Sequence, residues 1–166
     1  MADLLFHFAT VFAPGQALRD GRLRAVVYLG VCLPDLLYKG FLYLAGAPTW
    51  FCEPTHSPLA LLPICYAAAL LFEEAWRPRA FAALLAGSWL HLLVDAGKSY
   101  MGKGVIPWAF PFSMIRFELG WYRQEDTATM MIAALVVVCV IELRSGRKIR
   151  KTEPQRHGST GKISRP

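Results

Sequence analysis

One apolar stretch organises the chain: Gly87-Ser88-Trp89-Leu90-His91-Leu92-Leu93-Val94-Asp95. Its pattern predicts an apolar helix that carries a histidine and an aspartate four residues apart, His91 and Asp95. Four residues advance about 400° around an α-helix, so the two side chains project from one face, about one turn apart. An imidazole nitrogen and a carboxylate oxygen placed this way suit a shared divalent metal ion. The same spacing also gives an ordinary hydrogen bond on a helix surface, so the pair alone leaves both interpretations open.

The composition indicates a membrane protein of one domain. Of the 166 residues 55% are hydrophobic, whereas soluble proteins average about 45–50% even with glycine counted. The mean hydropathy is +0.35. The cysteines are far apart and none forms a Cys-x-x-Cys pair, so neither a disulfide framework nor a thiolate zinc site is indicated. We expect no removable signal peptide, because no early segment combines a basic region, a long apolar run and a small-residue cleavage site.

Positive charge is concentrated at the C-terminus. Residues 144–166 hold eight lysines and arginines against one acid, Glu153, so this segment carries +7, and the rest of the chain carries −1, which gives the net charge of +6. A basic tail directly after an apolar helix is typical of a cytoplasmic end. The tail has no aromatic side chains on which bases could stack, so we expect no nucleic-acid partner. We predict a membrane-embedded domain over residues 1–143 and a disordered cytoplasmic tail over residues 144–166.

The apolar runs predict an all-α, polytopic helical bundle integral to the cell membrane. A short N-terminal helix over residues 3–13 precedes four longer apolar runs, at 25–46, 58–74, 79–95 and 127–143. If each long run crosses once, the basic segments 19–24, 77–79 and 144–151 all fall on one side, which predicts about four transmembrane helices and a cytoplasmic C-terminus. Fifteen helical residues span only about 23 Å against a hydrocarbon core of about 30 Å, so a soluble bundle is the alternative.

Asp35 interrupts the first long apolar run. Pro34 precedes it, so we expect the helix to kink or restart there, with Asp35 near the first turn of a new helix as a cap. Capping does not explain why the break falls inside an apolar run. An aspartate near the centre of a bilayer costs about 2.5–3.5 kcal/mol. A bound cation is the strongest candidate to offset that cost.

Two further histidines lie in apolar or capping positions. His7 is in the middle of the N-terminal helix, and His56 lies in Thr55-His56-Ser57-Pro58, which predicts a helix start capped by Thr55 or Ser57. Each has a structural interpretation by itself, as a core histidine or a capping-region histidine. Taken together, the three imidazoles and two carboxylates suit a zinc-like site of one or two ions with the mixed ligands of hydrolytic centres: His7, Asp35, His56, His91 and Asp95.

The order of these motifs resembles a known family. His7, Pro34-Asp35, Thr55-His56-Ser57, His91-x3-Asp95 and Pro111-Phe112-Ser113 are similar, over residues 1 to about 115, to the YdjM-like inner-membrane metal-dependent hydrolases, also called LexA-binding. That family distantly resembles the zinc-dependent phospholipase C and P1 nuclease group of all-helical phosphoesterases. No residue here supports the LexA-binding role.

The resemblance implies roles for the five residues. His56, His91 and Asp95 would hold one ion, Asp35 would be a further ligand or a base, and His7 would serve a second ion that Asp95 bridges. The chain lacks the mature N-terminal tryptophan and the later histidine and glutamate ligands of the soluble group. This departure argues against a complete three-metal site and against phospholipase activity as such.

These observations predict a membrane-bound, metal-dependent hydrolase that acts on a phosphoester or lipid-like ester through a metal-activated water. Asp35 would accept the proton, and Lys98, Lys103 and Arg116, in the irregular aromatic segment 96–126, would neutralise a substrate phosphate unless they are only solvated. One alternative is a non-catalytic membrane protein with a structural metal or a partner-recruiting tail. Another is a transporter in which Asp35 and the histidines form an ion path.

Overall fold

A computed structural model of the chain describes residues 2–99 and 106–152. These residues form six α-helices: α1 Ala2–Gly15, α2 Gly21–Lys39, α3 Thr49–Cys52, α4 Leu61–Ala69, α5 Arg77–Gly97 and α6 Thr127–Thr152. A π-helical turn, Gly40–Leu44, continues α2, and short 3-10 helices cover Glu53–His56, Glu74–Trp76 and Gln124–Asp126. Two-residue strands β1 (Lys98–Ser99) and β2 (Tyr122–Arg123) pair in parallel, with Lys98 opposite Tyr122. The prediction of a mostly helical chain is confirmed.

Helices α2 and α5 form the centre of the bundle and run parallel to each other. Near their N-termini the Arg22 guanidinium lies over the Trp76 ring, 4.3 Å from its centroid. Further along, the Ser88 hydroxyl donates a hydrogen bond to the Gly30 carbonyl over 2.9 Å. The packed core contains Val26, Val27 and Val31 of α2, Leu84 and Leu92 of α5, and Leu61 and Cys65 of α4.

Two glycines allow the backbones of α2 and α5 to touch. A Cβ on Gly30 would lie 2.3 Å from the Leu84 carbonyl oxygen, and a Cβ on Gly87 would lie 2.2 Å from the Val27 carbonyl oxygen. Any side chain there would force the helices apart, so both positions need glycine. Small residues at the interface are the usual means by which helices in a membrane approach closely. This contact sets the position of α2 relative to α5 along the helix axes, which places Asp35 beside His91.

Three local predictions were wrong. Helix α2 runs through Pro34 without restarting, so Asp35 lies inside a helix and does not cap one. The turn at Thr55-His56-Ser57 does not start the next helix: α4 begins at Leu61 with Ala60 as its N-cap residue. The last helix does not end at 143 but continues to Thr152. The first nine residues of the segment predicted as a disordered tail are therefore helical, and residues 153–166 lie outside the described part of the chain.

Within residues 2–99 and 106–152, two helices are long and apolar enough to cross a membrane: Gly21–Leu44 and Glu74–Gly97. A shorter apolar helical segment covers Ala128–Leu143. Helix α4 has nine residues and a length of about 14 Å, well below a hydrocarbon core of about 30 Å. The structure therefore does not confirm four crossings. Large apolar side chains stay exposed on these helices, among them Leu44 (91% exposed) and Leu143 (66% exposed), as expected for surfaces that face lipid.

Candidate metal centre

The five residues predicted as ligands converge at one buried place. His7 comes from α1, Asp35 from α2, His56 from the 3-10 helix that precedes α4, and His91 and Asp95 from α5. All are buried, and His91 is completely inaccessible. The tertiary structure therefore assembles three imidazoles and two carboxylates from four separate elements.

Asp95 is the carboxylate that the histidines share. Its Oδ1 lies 3.2 Å from His7 Nε2, and its Oδ2 lies 3.2 Å from His91 Nε2 and 3.8 Å from His56 Nε2. The helical spacing of His91 and Asp95 accounts for one of these contacts. The other two require that α1 and the 3-10 helix dock on the same face of α5.

Asp35 extends the cluster on the α2 side. Its Oδ1 lies 3.6 Å from His56 Nε2, and His56 and His91 meet edge to face with ring centroids 5.4 Å apart. Two overlapping groups of possible ligands result, each with donor atoms within 4.8 Å of one another: His7, His91 and Asp95, and Asp35, His56 and His91. His91 belongs to both, so the arrangement suits one ion or a pair of adjacent ions.

The spacing of the donor atoms agrees with zinc coordination. Zinc–nitrogen and zinc–oxygen bonds of about 2.0–2.1 Å in a tetrahedron separate neighbouring ligand atoms by about 3.3–3.4 Å. The four nitrogen–oxygen distances from the three histidines to Asp35 and Asp95 lie between 3.2 and 3.8 Å. These four distances lie within about 0.5 Å of the tetrahedral spacing.

The Thr55 hydroxyl orients His56. Its oxygen lies 2.7 Å from the Cys52 carbonyl, to which the hydroxyl must donate, and 3.1 Å from His56 Nδ1. A hydroxyl has a single proton, so towards His56 it accepts, which assigns the proton of the neutral ring to Nδ1. His56 Nε2 is then a lone pair that faces carboxylate oxygens of Asp35 and Asp95. Lone pairs so placed repel each other unless a cation lies between them.

Unsatisfied buried nitrogens also fit a metal. Among the described residues, His7 Nδ1 and both ring nitrogens of His91 are buried and have no hydrogen-bond partner. His91 Nε2 lies 3.2 Å from Asp95 Oδ2, yet the contact does not meet hydrogen-bond geometry. A buried polar atom without a partner costs about 1–3 kcal/mol. Coordination of an ion by His91 Nε2 would remove one such cost, so the residues present fit the predicted metal.

Sequence reasoning missed Lys39 and the orienting role of Thr55. Lys39 Nζ pairs with Asp35 Oδ2, one helical turn further along α2. The i,i+4 spacing of an aspartate and a lysine on a predicted helix could have indicated this pair. The Tyr38 ring also packs edge-on against His56, with centroids 5.4 Å apart.

Of the three residues predicted to bind substrate, the structure describes Lys98 and Arg116. Arg116 pairs with Glu53, an acid on the 3-10 helix that carries His56. Lys98 follows α5 and is only 2% exposed. Lys103 lies outside the described residues. The contact described for Arg116 joins the segment 106–122 to the turn that carries His56.

Comparison with known proteins identifies the family of the chain. No curated protein and no solved structure matches the chain significantly, so the distant similarity to the phospholipase and nuclease group gains no support. The family model described as "YdjM inner membrane protein" matches residues 4–154. This match covers all five residues of the cluster and, with the two apolar spans, indicates a membrane protein. The chain belongs to the YdjM inner membrane protein family.

Proposed function

We propose that this protein is a membrane-embedded, metal-dependent hydrolase that acts on a phosphoester or a lipid-like ester, with one or two zinc ions as cofactor. The observation that carries the proposal is the buried cluster of His7, Asp35, His56, His91 and Asp95, whose nitrogen and oxygen lone pairs face one another at ligand-to-ligand distances. Mixed histidine and carboxylate ligands are typical of hydrolytic zinc sites.

The geometry of the bundle supports an orientation in the membrane. The contact of Arg22 with Trp76 puts the N-termini of α2 and α5 at the same end, together with Arg24, Arg77 and Arg79. Basic residues favour the cytoplasmic side. Asp35 is thirteen residues along α2 from Arg22, or about 20 Å from the basic end. We therefore place the basic end in the cytoplasm and the opening of the site towards the extracytoplasmic side. The chain then crosses the membrane more than once, with its C-terminus in the cytoplasm.

The side chains of the cluster would have different roles in hydrolysis. A divalent ion held there would lower the pKa of a water molecule towards about 7 and polarise the attacked ester oxygen. Asp35 would take the proton of the attacking water, because its carboxylate lies at the edge of the cluster beside His56. His56, oriented by Thr55, would face the reacting centre with Nε2. His7 and His91 lie deepest and would serve as ligands.

The proposed reaction consumes one water per ester. For a phosphodiester, the water oxygen forms a new bond to phosphorus, and the bond from phosphorus to the leaving oxygen breaks. Asp35 would first receive one proton of the water and then pass it to the leaving oxygen, which departs as an alcohol. The other proton stays on, or dissociates from, the new phosphomonoester. No oxidant or reductant is required.

The test is hydrolysis of model phosphodiesters and lipid esters by the detergent-solubilised protein. Activity should require zinc, disappear on chelation and return when zinc is added back. The His91→Gln variant should lose this hydrolytic activity. Arg79→Gln, a change at the exposed basic end, should keep it. Activity that survives both chelation and the His91 substitution would exclude this mechanism.

The depth of the cluster favours a second candidate function, a structural metal in a non-catalytic membrane protein. Structural zinc sites are closed by four protein ligands, whereas catalytic sites keep a position open. His7 and His91 are 1% and 0% exposed, which suits a closed site. In this case zinc removal would lower the melting temperature, and no ester would be hydrolysed. The tail would then be free to recruit a partner.

A further inference from the structure

A lysine stands at the edge of the buried cluster. The side chain of Lys39 is 32% exposed, whereas that of Asp35, with which it pairs, is 10% exposed. Lys39 therefore extends from the buried carboxylate towards the outside of the bundle. An ammonium group has three donors, and the pair with Asp35 uses one of them. The others can reach a group that approaches the site.

The net charge around the cluster determines which chemical group the remaining donors of Lys39 would bind. Asp35 and Asp95 together carry −2, and the three imidazoles must be neutral to bind a metal. One divalent ion cancels the two carboxylates, so the Lys39 ammonium leaves the site at +1. An uncompensated charge in a buried site within a membrane is costly. A phosphodiester carries one negative charge and would neutralise the site, whereas a carboxylic ester would not.

We propose that Lys39 binds the anionic group of the substrate and thereby makes the site selective for phosphoesters over uncharged esters. This inference rests on the proposed function, because it assumes that an ion occupies the cluster. A divalent ion held beside Asp35 would repel the Lys39 ammonium and would weaken the pair between Lys39 and the Asp35 carboxylate. The ammonium is then available for a phosphoryl oxygen. Arg116 is less suited to this task because Glu53 neutralises it.

The first test measures binding of inorganic phosphate to the zinc-loaded, detergent-solubilised protein by isothermal titration calorimetry. Lys39→Met should weaken phosphate binding at least about tenfold, since hydrogen bonds to charged groups are among the stronger ones. Zinc should bind this variant at least as tightly as the wild type, because Asp35 loses a competing cation. Lys39→Arg should keep most of the affinity for phosphate. Arg79→Met, the matched loss of a positive charge at the other end of the bundle, should change neither the phosphate affinity nor the zinc affinity.

A second measurement needs no substitution. An amine-reactive reagent should modify Lys39 in the zinc-loaded wild-type protein, and phosphate should slow this modification severalfold, as measured by mass spectrometry of the peptide that contains it. Modification of Lys148, in the basic part of α6, should proceed at the same rate with and without phosphate. This measurement decides the question if Lys39→Met fails to fold.

The outcomes separate the two proposals. If wild-type protein binds no zinc, the proposed function fails at its first step and the role of Lys39 fails with it. If zinc binds, but phosphate binds equally to wild type and Lys39→Met, or does not protect Lys39, the role of Lys39 is overturned while the metal centre stands.

Discussion

His7 stacks on His91, with ring centroids 3.9 Å apart and ring planes inclined by 29°. The two residues are far apart in the chain, one on α1 and one on α5. Stacking points both Nε2 atoms at the same carboxylate, one at each oxygen of Asp95. Helix α1, about 21 Å long and too short to cross a membrane, is therefore part of the candidate metal centre.

The central role of Asp95 predicts a loss of metal when it is neutralised. Asp95→Asn keeps the size of the side chain but removes the negative charge that His7 and His91 share. We expect zinc retained after dialysis, measured by elemental analysis, to fall from at least about one ion per chain to near zero. The matched control is Asp20→Asn, an exposed N-cap at which asparagine caps equally well. Equal zinc in wild type and Asp95→Asn would contradict the site.

The hydrogen bond from His56 to Thr55 predicts an effect on metal affinity without a loss of fold. Thr55→Val is nearly isosteric but removes the acceptor for His56 Nδ1. Partners that orient a ligating histidine contribute about 10- to 100-fold to metal affinity, so zinc affinity in a competition titration should fall by that factor. Thr55→Ser keeps the hydroxyl and should bind zinc nearly as the wild type does. If Thr55→Val binds zinc with unchanged affinity, Thr55 does not set the orientation of His56.

The contact between α2 and α5 predicts a large effect of a single methyl group. In Gly87→Ala the new Cβ meets the Val27 carbonyl, so the two helices must separate. We expect a loss of about 1–3 kcal/mol in the free energy of unfolding, seen as a lower melting temperature in detergent, together with weaker zinc binding. Gly40→Ala is the control, because a Cβ there has open space around it and the backbone is helical. Similar melting temperatures for the two variants would refute this account of the helix contact.

Zinc should stabilise the folded protein by mass action. At a free zinc concentration about 100 times the dissociation constant, binding contributes about 2.7 kcal/mol. For a chain of this size that corresponds to about 5–10 °C in melting temperature. Adding a chelator should therefore lower the melting temperature of wild-type protein by that amount and leave His91→Gln unchanged. If the chelator lowers the melting temperatures of wild type and His91→Gln equally, its effect does not come from removing an ion bound at this site.

The sequence predicted the residues of the candidate centre better than their surroundings. Polar side chains inside apolar runs are conspicuous, because burying them costs free energy unless something compensates it. This reasoning identifies Asp35 and His91 from the sequence alone. It does not extend to Lys98 and Arg116, since a lysine or arginine in a loop looks the same in the sequence whether it faces a site, pairs with an acid such as Glu53 or is solvated.

The local structure around the motifs was less predictable. Proline usually interrupts a helix, yet α2 continues through Pro34 because tertiary packing against α5 overrides the local preference. The Thr55-His56-Ser57-Pro58 segment has the composition of a helix start, but Thr55 instead bonds to Cys52 and His56. A capping side chain and one that orients a ligand have the same chemistry, and only the position of the partner distinguishes them.

The sequence by itself determined the helical class, the apolar character and the identity of the five polar side chains, because periodicity and hydropathy depend only on the order of the residues. The tertiary structure alone decided that these side chains meet. Their convergence depends on the close contact at Gly30 and Gly87, which sets Asp35 level with His91, and on the docking of α1, which brings His7 to Asp95. Such contacts join residues far apart in the chain, and their geometry follows from packing, which no local pattern encodes.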